Sequence, residues 1–333
     1  MPGKDATTFS EFRHDLRRWQ QLVSPAWLAA LIAGDPVTAA PAKQWRLLEI
    51  GYCAMSSCLH AHIPGASYVD TTEFEHGPLW NKVPDDELLA LLLRCGIRHD
   101  TTVILYGRNP LAAARAAHLM LYAGVTDVRL IDGGYAAWTS LRFPLEHGFQ
   151  DCVPAATEFG AHYPGHPEYL VDTGHVRDSL AQTDVCLASV RTWNEFVGRT
   201  SGYSYIRPRG EIAGALWGRS GSDDDVNCMS EFHDAHGRMK PVSDICRLWD
   251  AKGIRPNQAI IFYCGTGWRA SLAFFYAWLM HWERISVYDG GWHEWSQDPR
   301  NPVICRSDAA YESFRNDLVA EQFGANAPSS LIS

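Results

Sequence analysis

Residues 260–295 have the sequence IIFYCGTGWRASLAFFYAWLMHWERISVYDGGWHEW, and residues 103–138 have the related sequence VILYGRNPLAAARAAHLMLYAGVTDVRLIDGGYAAW. Cys264 lies 25 positions before Asp289, and Gly107 lies 25 positions before Asp132. In both copies the aspartate opens a DGG motif, and a tryptophan follows 6 positions after that aspartate. Unrelated segments rarely share two spacings and a motif, so the chain contains an internal repeat.

Each copy predicts the same β–α–β unit, with a short apolar strand, a tight loop, a helix-length apolar stretch and a second strand. The predicted strand, helix and strand are residues 103–106, 112–123 and 128–131 in the first copy, and 260–263, 270–280 and 285–288 in the second. Units of this kind build parallel sheets with helices on both faces. We therefore expect an α/β fold in each half of the chain.

The repeat predicts two tandem domains, which we place at residues 20–150 and 165–310. Residues 146–167 are rich in proline and glycine and form the expected linker between them. The second copy carries an additional segment at residues 221–237 that is rich in aspartate, serine and glycine. Its composition predicts a surface loop.

Composition limits the classes of partner. The net charge of -9 argues against a nucleic-acid binder and offers no basic face to an anionic membrane. No apolar run approaches the roughly 18 residues of a membrane span, and residues 1–20 lack the apolar stretch of a secretory signal. The 9 cysteines are odd in number and irregularly spaced, so we expect no disulfide framework and a cytoplasmic location.

The segment CGTGWR places a cysteine where a buried strand passes into a helix. The backbone amides of such a loop and the start of the helix favour negative charge at its centre. We therefore expect Cys264 to ionise readily and to act as a nucleophile. Gly265, Thr266 and Gly267 supply the loop amides, and Arg269 adds a positive charge.

These motifs resemble those of rhodanese-type sulfurtransferases over nearly the whole chain. The resemblance is carried by HIPGA at residues 62–66, DGG at 132–134, CGTGWR at 264–269 and DGGW at 289–292. It implies two rhodanese-like domains, of which the second carries sulfur as a persulfide on Cys264. The first domain has Gly107 at the matching position, so it is expected to be inactive and to form one side of the cleft.

Within this family, TSGYSYI at residues 200–206, YCGTGWR and SVYDGGWHEWS resemble a subgroup of multi-domain bacterial sulfurtransferases. The subgroup includes a rhodanese-like enzyme that makes ergothioneine from hercynine and polysulfide. The resemblance implies substrate-binding roles for Tyr205 and Tyr263. We also consider Arg191 as a substrate contact and expect Trp268 to line the pocket.

The loop length separates sulfur transfer from phosphate chemistry. Related phosphatases have seven residues from cysteine to arginine, whereas Cys264 to Arg269 is six residues, which suits a single sulfur atom. We expect transfer of sulfane sulfur from thiosulfate, polysulfide or mercaptopyruvate to a small-molecule or protein acceptor. Hercynine sulfuration and a non-enzymatic sulfur-relay module are the alternatives.

The predicted chemistry requires no metal or organic cofactor. Cys53, Cys58, His60 and His62 form a cluster in the sequence, but their spacing does not match a recognised zinc pattern. Cys228, in the additional segment, is a further cysteine that could approach Cys264 and resolve a persulfide.

Overall fold

The computed structural model describes residues 12–41, 44–148 and 153–306. The predicted domain limits at residues 150 and 310 lie outside these ranges. The five strands of the main sheet and the five helices occur in the same order in the two described halves, as the repeat predicts.

The first half of the chain is built from short strands interspersed with helices along the sequence. Its strands are β1 (Leu22–Val23), β2 (Trp45–Gly51), β3 (Ser67–Asp70), β4 (Glu75–His76), β5 (Asn81–Lys82), β6 (Thr102–Tyr106) and β7 (Asp127–Ile131). Its helices are α1 (Pro25–Ala33), α2 (Met55–His60), α3 (Asp85–Arg94), α4 (Pro110–Ala123) and α5 (Gly134–Ser140).

The second half repeats this order around a longer central connection. Its strands are β8 (Leu170–Val171), β9 (Val185–Ser189), β10 (Glu211–Ile212), β11 (Leu216–Trp217), β12 (Ala259–Tyr263), β13 (Ile285–Tyr288) and β14 (Val303–Ile304). Its helices are α6 (Thr173–Ser179), α7 (Trp193–Phe196), α8 (Val242–Asp250), α9 (Trp268–Leu279) and α10 (Gly291–Trp295).

Each half is built on a parallel sheet. Among the described residues, the first sheet has five strands in the order β1-β7-β6-β2-β3, and the second has five in the order β11-β9-β12-β13-β8. All neighbouring strands in both sheets run parallel. The predicted α/β class is therefore confirmed, and the central strands β6 and β12 deliver the two matching loops at the same edge of their sheets.

Local sequence explains where the central helix of the first half begins and ends. The Asn109 side chain accepts a hydrogen bond from the backbone of Leu111, and Pro110 occupies the first turn, where its missing N–H costs nothing. Gly124 ends the helix in the left-handed conformation. The matching helix α9 begins at Trp268, two residues before the predicted start at residue 270, and has no side-chain cap because its N-cap residue is Gly267.

The two halves share one hydrophobic core, in which α4 packs against α9. Every residue from Leu111 to Ala123 and from Arg269 to Leu279 is buried. A helix that is apolar all round needs partners on all sides. Each of these helices therefore covers its own sheet and also forms the interface with the other half.

The additional segment at residues 221–237 only partly follows its prediction. Residues 222–225 are exposed, as expected of a surface loop. Met229 and Phe232 are instead buried in the shared core, where Phe232 packs on Trp249 with ring centroids 5.5 Å apart. The apolar residues at the end of the segment fix it to the body of the protein.

None of the helices in the described ranges is both long enough and apolar enough to cross a membrane.

Candidate active site

Cys264 directly follows β12, and its side chain is fully buried where the chain turns into α9. Its Sγ lies 3.2 Å from the backbone nitrogen of Gly267, which donates an N–H to it. The carbonyls of Cys264 and Gly265 accept hydrogen bonds from the amides of Trp292 and His293, at 2.8 and 3.0 Å. The DGGW segment therefore holds the loop from outside, which explains why both motifs belong to the same site.

The loop presents amide donors beside the sulfur. Within the described ranges, the amides of Gly265, Thr266, Trp268 and Arg269 donate to no backbone oxygen. Gly267 has a φ of 112°, a left-handed conformation that lets the chain curl before the helix begins. Unsatisfied amides at a helix N-terminus stabilise negative charge. The geometry thus suits a thiolate or a persulfide anion.

Arg269 is fully buried behind the loop and is balanced by a carboxylate. Its Nη1 and Nη2 donate to the two oxygens of Glu195, at 2.7 and 2.9 Å. Burial would raise the pKa of Glu195, but Arg269 and then Arg191 favour the carboxylate and lower that pKa to about 2. Glu195 also accepts the backbone N–H of Thr192 and completes a capping box at the start of α7. Arg269 therefore braces the loop as half of a buried ion pair.

Arg191 and Tyr263 lie behind the same loop and are also fully buried. Arg191 donates to the carbonyl of Gly210 at 2.7 Å and to Glu211 at 3.2 Å, and its guanidinium lies 4.9 Å from the ring centroid of Trp292. The Tyr263 hydroxyl donates to Glu211. Burial and the neighbouring Glu211 raise the pKa of Tyr263 well above its usual range. Both side chains connect loops to the sheet.

Two tyrosines of the TSGYSYI segment cover the loop. The ring of Tyr203 packs so closely on Gly265 that a Cβ there would lie 2.2 Å from Cε2 of Tyr203. Tyr203 lies beside Tyr205, with centroids 5.4 Å apart, and Tyr205 is 49% exposed. Burial raises the pKa of Tyr205, whereas a hydrogen bond to Thr266 lowers it and the nearby Cys264 raises it further. Tyr205 thus lies beside the ring that covers the cysteine loop and borders solvent.

A cavity of about 530 Å³ opens between the two halves at this point. Its aromatic lining consists of Tyr52 and Trp80 from the first half, with Tyr203, Tyr205 and Trp268 from the second. Thr266 of the loop also lines it, and the carboxylates of Glu49 and Glu75 contribute from the first half. The structure therefore brings Tyr205, Thr266 and Trp268 together at one cleft, whereas Tyr263, Arg191 and Arg269 support the loop from behind.

The matching loop of the first half has no room for a nucleophile. A Cβ at Gly107 would lie 2.5 Å from the carbonyl oxygen of Asn109 and 2.7 Å from that of Ile50. A cysteine side chain at this position would require the backbone to move. The loop of the first half therefore lacks the cysteine, and its backbone leaves no space for a cysteine side chain.

The cluster of Cys53, Cys58, His60 and His62 spreads out in the fold. Cys53 is exposed, whereas Cys58 is buried and the Nδ1 atom of His62 lies 3.0 Å from the Cys58 carbonyl. Among the residues that the structure describes, no three His, Cys, Asp or Glu side chains form a group that could hold a metal ion.

A family model for the rhodanese-like domain matches residues 24–141 and 173–298, one match in each half. The chain belongs to the rhodanese family. Both matches include their central loop, so Gly107 and Cys264 occupy equivalent positions in two rhodanese-like domains. The predicted tandem arrangement and family are confirmed.

Several proteins similar to this chain are named as sulfurtransferases. The chain is 52% identical over 288 residues to the thiosulfate sulfurtransferase YnjE of Escherichia coli K12, covering 86% of this chain and 66% of YnjE. It is 31% identical to a probable 3-mercaptopyruvate sulfurtransferase of Pseudomonas aeruginosa, covering 73% of this chain and 84% of that protein. These names agree with the predicted enzyme class, and the chain spans about two thirds of the length of YnjE.

Solved rhodanese structures agree with the fold. The crystal structure of YnjE superposes with a TM-score of 0.85 over 88% of this chain and 70% of that chain. An anaerobic ergothioneine biosynthesis enzyme from Chlorobium limicola, in complex with its natural substrate trimethyl histidine, superposes with a TM-score of 0.82. It is 37% identical, and the match covers 88% of this chain and 72% of the enzyme.

Sequence reasoning missed several residues that shape the site. Tyr203 belongs to the quoted TSGYSYI segment, but the pattern does not indicate which tyrosine packs on the loop. Glu195 stands three residues after Thr192, a spacing that predicts a helix start and carries no information about Arg269. Glu75 and Arg115 come from the half that lacks the cysteine, and no motif marks them.

Proposed function

We propose that this rhodanese transfers sulfane sulfur from a small-molecule donor to a thiophilic acceptor through a persulfide on Cys264. The observation that carries the proposal is the loop itself. Sγ accepts the Gly267 amide at 3.2 Å, and neighbouring amides have no backbone acceptor within the described ranges. A site built in this way stabilises the thiolate before the reaction and the persulfide anion after it.

With thiosulfate, the Cys264 thiolate attacks the outer sulfur. A bond from Sγ to that sulfur forms while the sulfur–sulfur bond of thiosulfate breaks, and sulfite leaves with the bonding electron pair. The acceptor then attacks the outer sulfur of the persulfide, and the Cys264 thiolate leaves. Polysulfide and mercaptopyruvate are alternative donors, with a shorter polysulfide or the enolate of pyruvate as the leaving group.

Intact-protein mass spectrometry tests the proposal directly. We expect the protein to gain the mass of one sulfur after incubation with at least one of thiosulfate, polysulfide and mercaptopyruvate. Cys264→Ser should abolish the gain, whereas Cys228→Ser, at a partly exposed cysteine of the additional segment, should retain it. If no donor loads the protein, or if Cys264→Ser still loads, the persulfide proposal fails.

Hercynine sulfuration is a second candidate, and the position of Tyr205 favours it. Tyr205 packs beside Tyr203, which covers the cysteine loop at Gly265, and it borders the aromatic cavity together with Thr266. A hydroxyl in that place could move a proton to or from an acceptor held beside the persulfide. Solved structures of the related enzyme EanB contain hercynine or ergothioneine.

Incubation with polysulfide and hercynine, followed by chromatography for the thione product, separates the two candidates. Product formation that is lost in Tyr205→Phe, with persulfide loading retained, would establish hercynine sulfuration. Loading without any thione product leaves the general sulfurtransferase. A sulfur-relay role predicts that the loaded persulfide passes to a protein thiol but to no small acceptor.

A further inference from the structure

A charged cluster connects the half that lacks the cysteine to the catalytic loop. Arg115, on α4, is fully buried. Its Nε donates to Glu75 at 3.0 Å, and its Nη2 donates to Asp289 of the second half at 2.5 Å. Asp289 also accepts the backbone N–H of Lys82 at 2.7 Å. One buried guanidinium therefore ties the first half to the DGGW motif.

The same cluster reaches the loop at two consecutive residues. The indole Nε1 of Trp268 donates to Glu75 at 2.5 Å. A Cβ on Gly267 would lie only 3.1 Å from Nη1 of Arg115, so the guanidinium packs directly against the loop backbone. Nη1 is buried and has no hydrogen-bond partner among the described residues. Gly267 is also the residue whose amide donates to Sγ of Cys264.

The internal repeat provides a built-in comparison for the interface. At the Gly107 loop, Asp132 accepts the backbone N–H of Met239 at 2.8 Å, just as Asp289 accepts that of Lys82. Each half therefore fastens the DGG aspartate of the other half with one backbone amide. The contact between a backbone amide and the DGG aspartate is therefore present both at the loop with Cys264 and at the loop with Gly107.

Among the described residues, a fully buried arginine packs against the loop that carries Cys264, and the matching position at the Gly107 loop is apolar. Arg115 lies 8 positions after Gly107, and the residue 8 positions after Cys264 is the apolar Leu272. On the Gly107 side, His233 occupies the place that corresponds to Glu75. Its Nε2 atom lies 2.7 Å from the hydroxyl of Tyr276. Apolar residues of similar volume often replace a buried ion pair without loss of stability, so packing alone does not account for a buried arginine at this interface.

We propose that Arg115 is a positioning residue for Cys264: held by Glu75 and Asp289, its guanidinium fixes Gly267 and Trp268, and thereby aligns the Gly267 amide with the sulfur. This inference rests on the persulfide chemistry proposed above. The half that contains Gly107 then has a role in the reaction, because its Arg115 holds the loop that contains Cys264.

The test measures the reactivity of Cys264 in two independent ways. The first is the maximal rate of persulfide loading and the donor concentration at half-maximal rate. The second is the rate of alkylation by iodoacetamide, which requires no sulfur donor. The variants are Arg115→Leu, which copies the Leu272 of the other repeat, Arg115→Lys, and Asp289→Asn, with Asp132→Asn as the matched control at the Gly107 side.

We expect Arg115→Leu and Asp289→Asn to lower both rates by about tenfold, or about 1.4 kcal/mol. The half-saturating donor concentration should stay the same, because Arg115 does not line the cavity. Arg115→Lys should recover part of the loss by keeping the charge. Asp132→Asn should leave both rates unchanged.

Equal slowing by Asp132→Asn and Asp289→Asn would overturn the proposal, because interface stability alone would then explain the effect. Wild-type rates in a folded Arg115→Leu would also overturn it. If Arg115→Leu does not fold, as circular dichroism would show, the comparison of the two aspartate variants decides. Failure of the wild type to load any donor would refute the proposed function, while the alkylation rates would still decide the role of Arg115.

Discussion

Replacing Glu195 by glutamine removes the charge that balances Arg269 behind the catalytic loop. Both side chains are fully buried, and the carboxylate binds the guanidinium through both oxygens. The pKa of Glu195 falls from 4.5 to about 2 in the folded protein because the attraction of Arg269 outweighs the cost of burial. At about 1.36 kcal/mol per pH unit, this difference stabilises the fold by about 3 kcal/mol at neutral pH.

Breaking a buried pair at one partner costs about 3–5 kcal/mol in other proteins, because the remaining charge is left without compensation. The two magnitudes agree, so we expect Glu195→Gln to lower the free energy of unfolding by about 3 kcal/mol at pH 7. The assay is urea denaturation followed by tryptophan fluorescence and circular dichroism. Asp184→Asn is the matched control, since Asp184 and Arg284 have the same 2.7 Å separation but are exposed, and its effect should be small.

The pH dependence makes this prediction sharper. A carboxyl with a lowered pKa stabilises the fold above its unfolded value of 4.5, and that contribution is lost as the pH falls through about 2. The difference between wild type and Glu195→Gln should therefore be complete above about pH 5 and shrink towards pH 2. An unchanged stability at pH 7, or a difference that grows on acidification, would refute the assignment of Glu195 as the buried counter-ion.

Three further outcomes follow from individual contacts. Gly265→Ala places a Cβ 2.2 Å from the Tyr203 ring, so persulfide loading should fall about tenfold, and Tyr203→Ala in the same chain should restore part of it by making room. Burial raises the pKa of Glu75 to about 7, so the stability difference between wild type and Glu75→Gln should shift against the wild type by about 1.4 kcal/mol per pH unit as the pH rises from about 5 to 7, and a constant difference over this range would contradict it. Burial lowers the pKa of His118 to about 3, so the stability of the wild type relative to His118→Gln, measured by urea titration, should decline by about 1.4 kcal/mol per pH unit as the pH falls below about 6.

The local pattern of apolar runs and turn signals is sufficient to predict the secondary structure of the repeat. The strands at residues 260–263 and 285–288 were predicted within one residue of their observed ends, because continuous apolar runs between turn signals are typical of buried parallel strands. The additional segment at residues 221–237 was harder. Its polar composition predicts a loop, whereas the burial of Met229 and Phe232 depends on apolar surface supplied by other elements.

The sequence also predicts a site of chemistry at the cysteine loop. The strand, the two glycines and the helix start are consecutive in the chain, so the position of Cys264 between a strand and a helix follows from sequence alone, whereas its catalytic role stays a prediction. The functions of the flanking residues were not predictable in the same way. Arg191 and Tyr263 were considered as substrate contacts, but they are fully buried and hold the loop to the sheet, whereas Tyr205 and Trp268 line the cleft.

The sequence by itself determined that there are two copies of one β–α–β unit, that one copy has Cys264 and the other Gly107, and that the loop suits an anion. These properties depend on spacings of a few residues, which the chain carries directly. The tertiary structure alone decided which charges meet. Arg269 pairs with Glu195, 74 positions away, and Arg115 pairs with Asp289, 174 positions away. The Arg115 contact joins the two halves through α4, whereas the Arg269 contact joins α7 to the start of α9 within the second half. No local pattern encodes the partner that a distant element will supply.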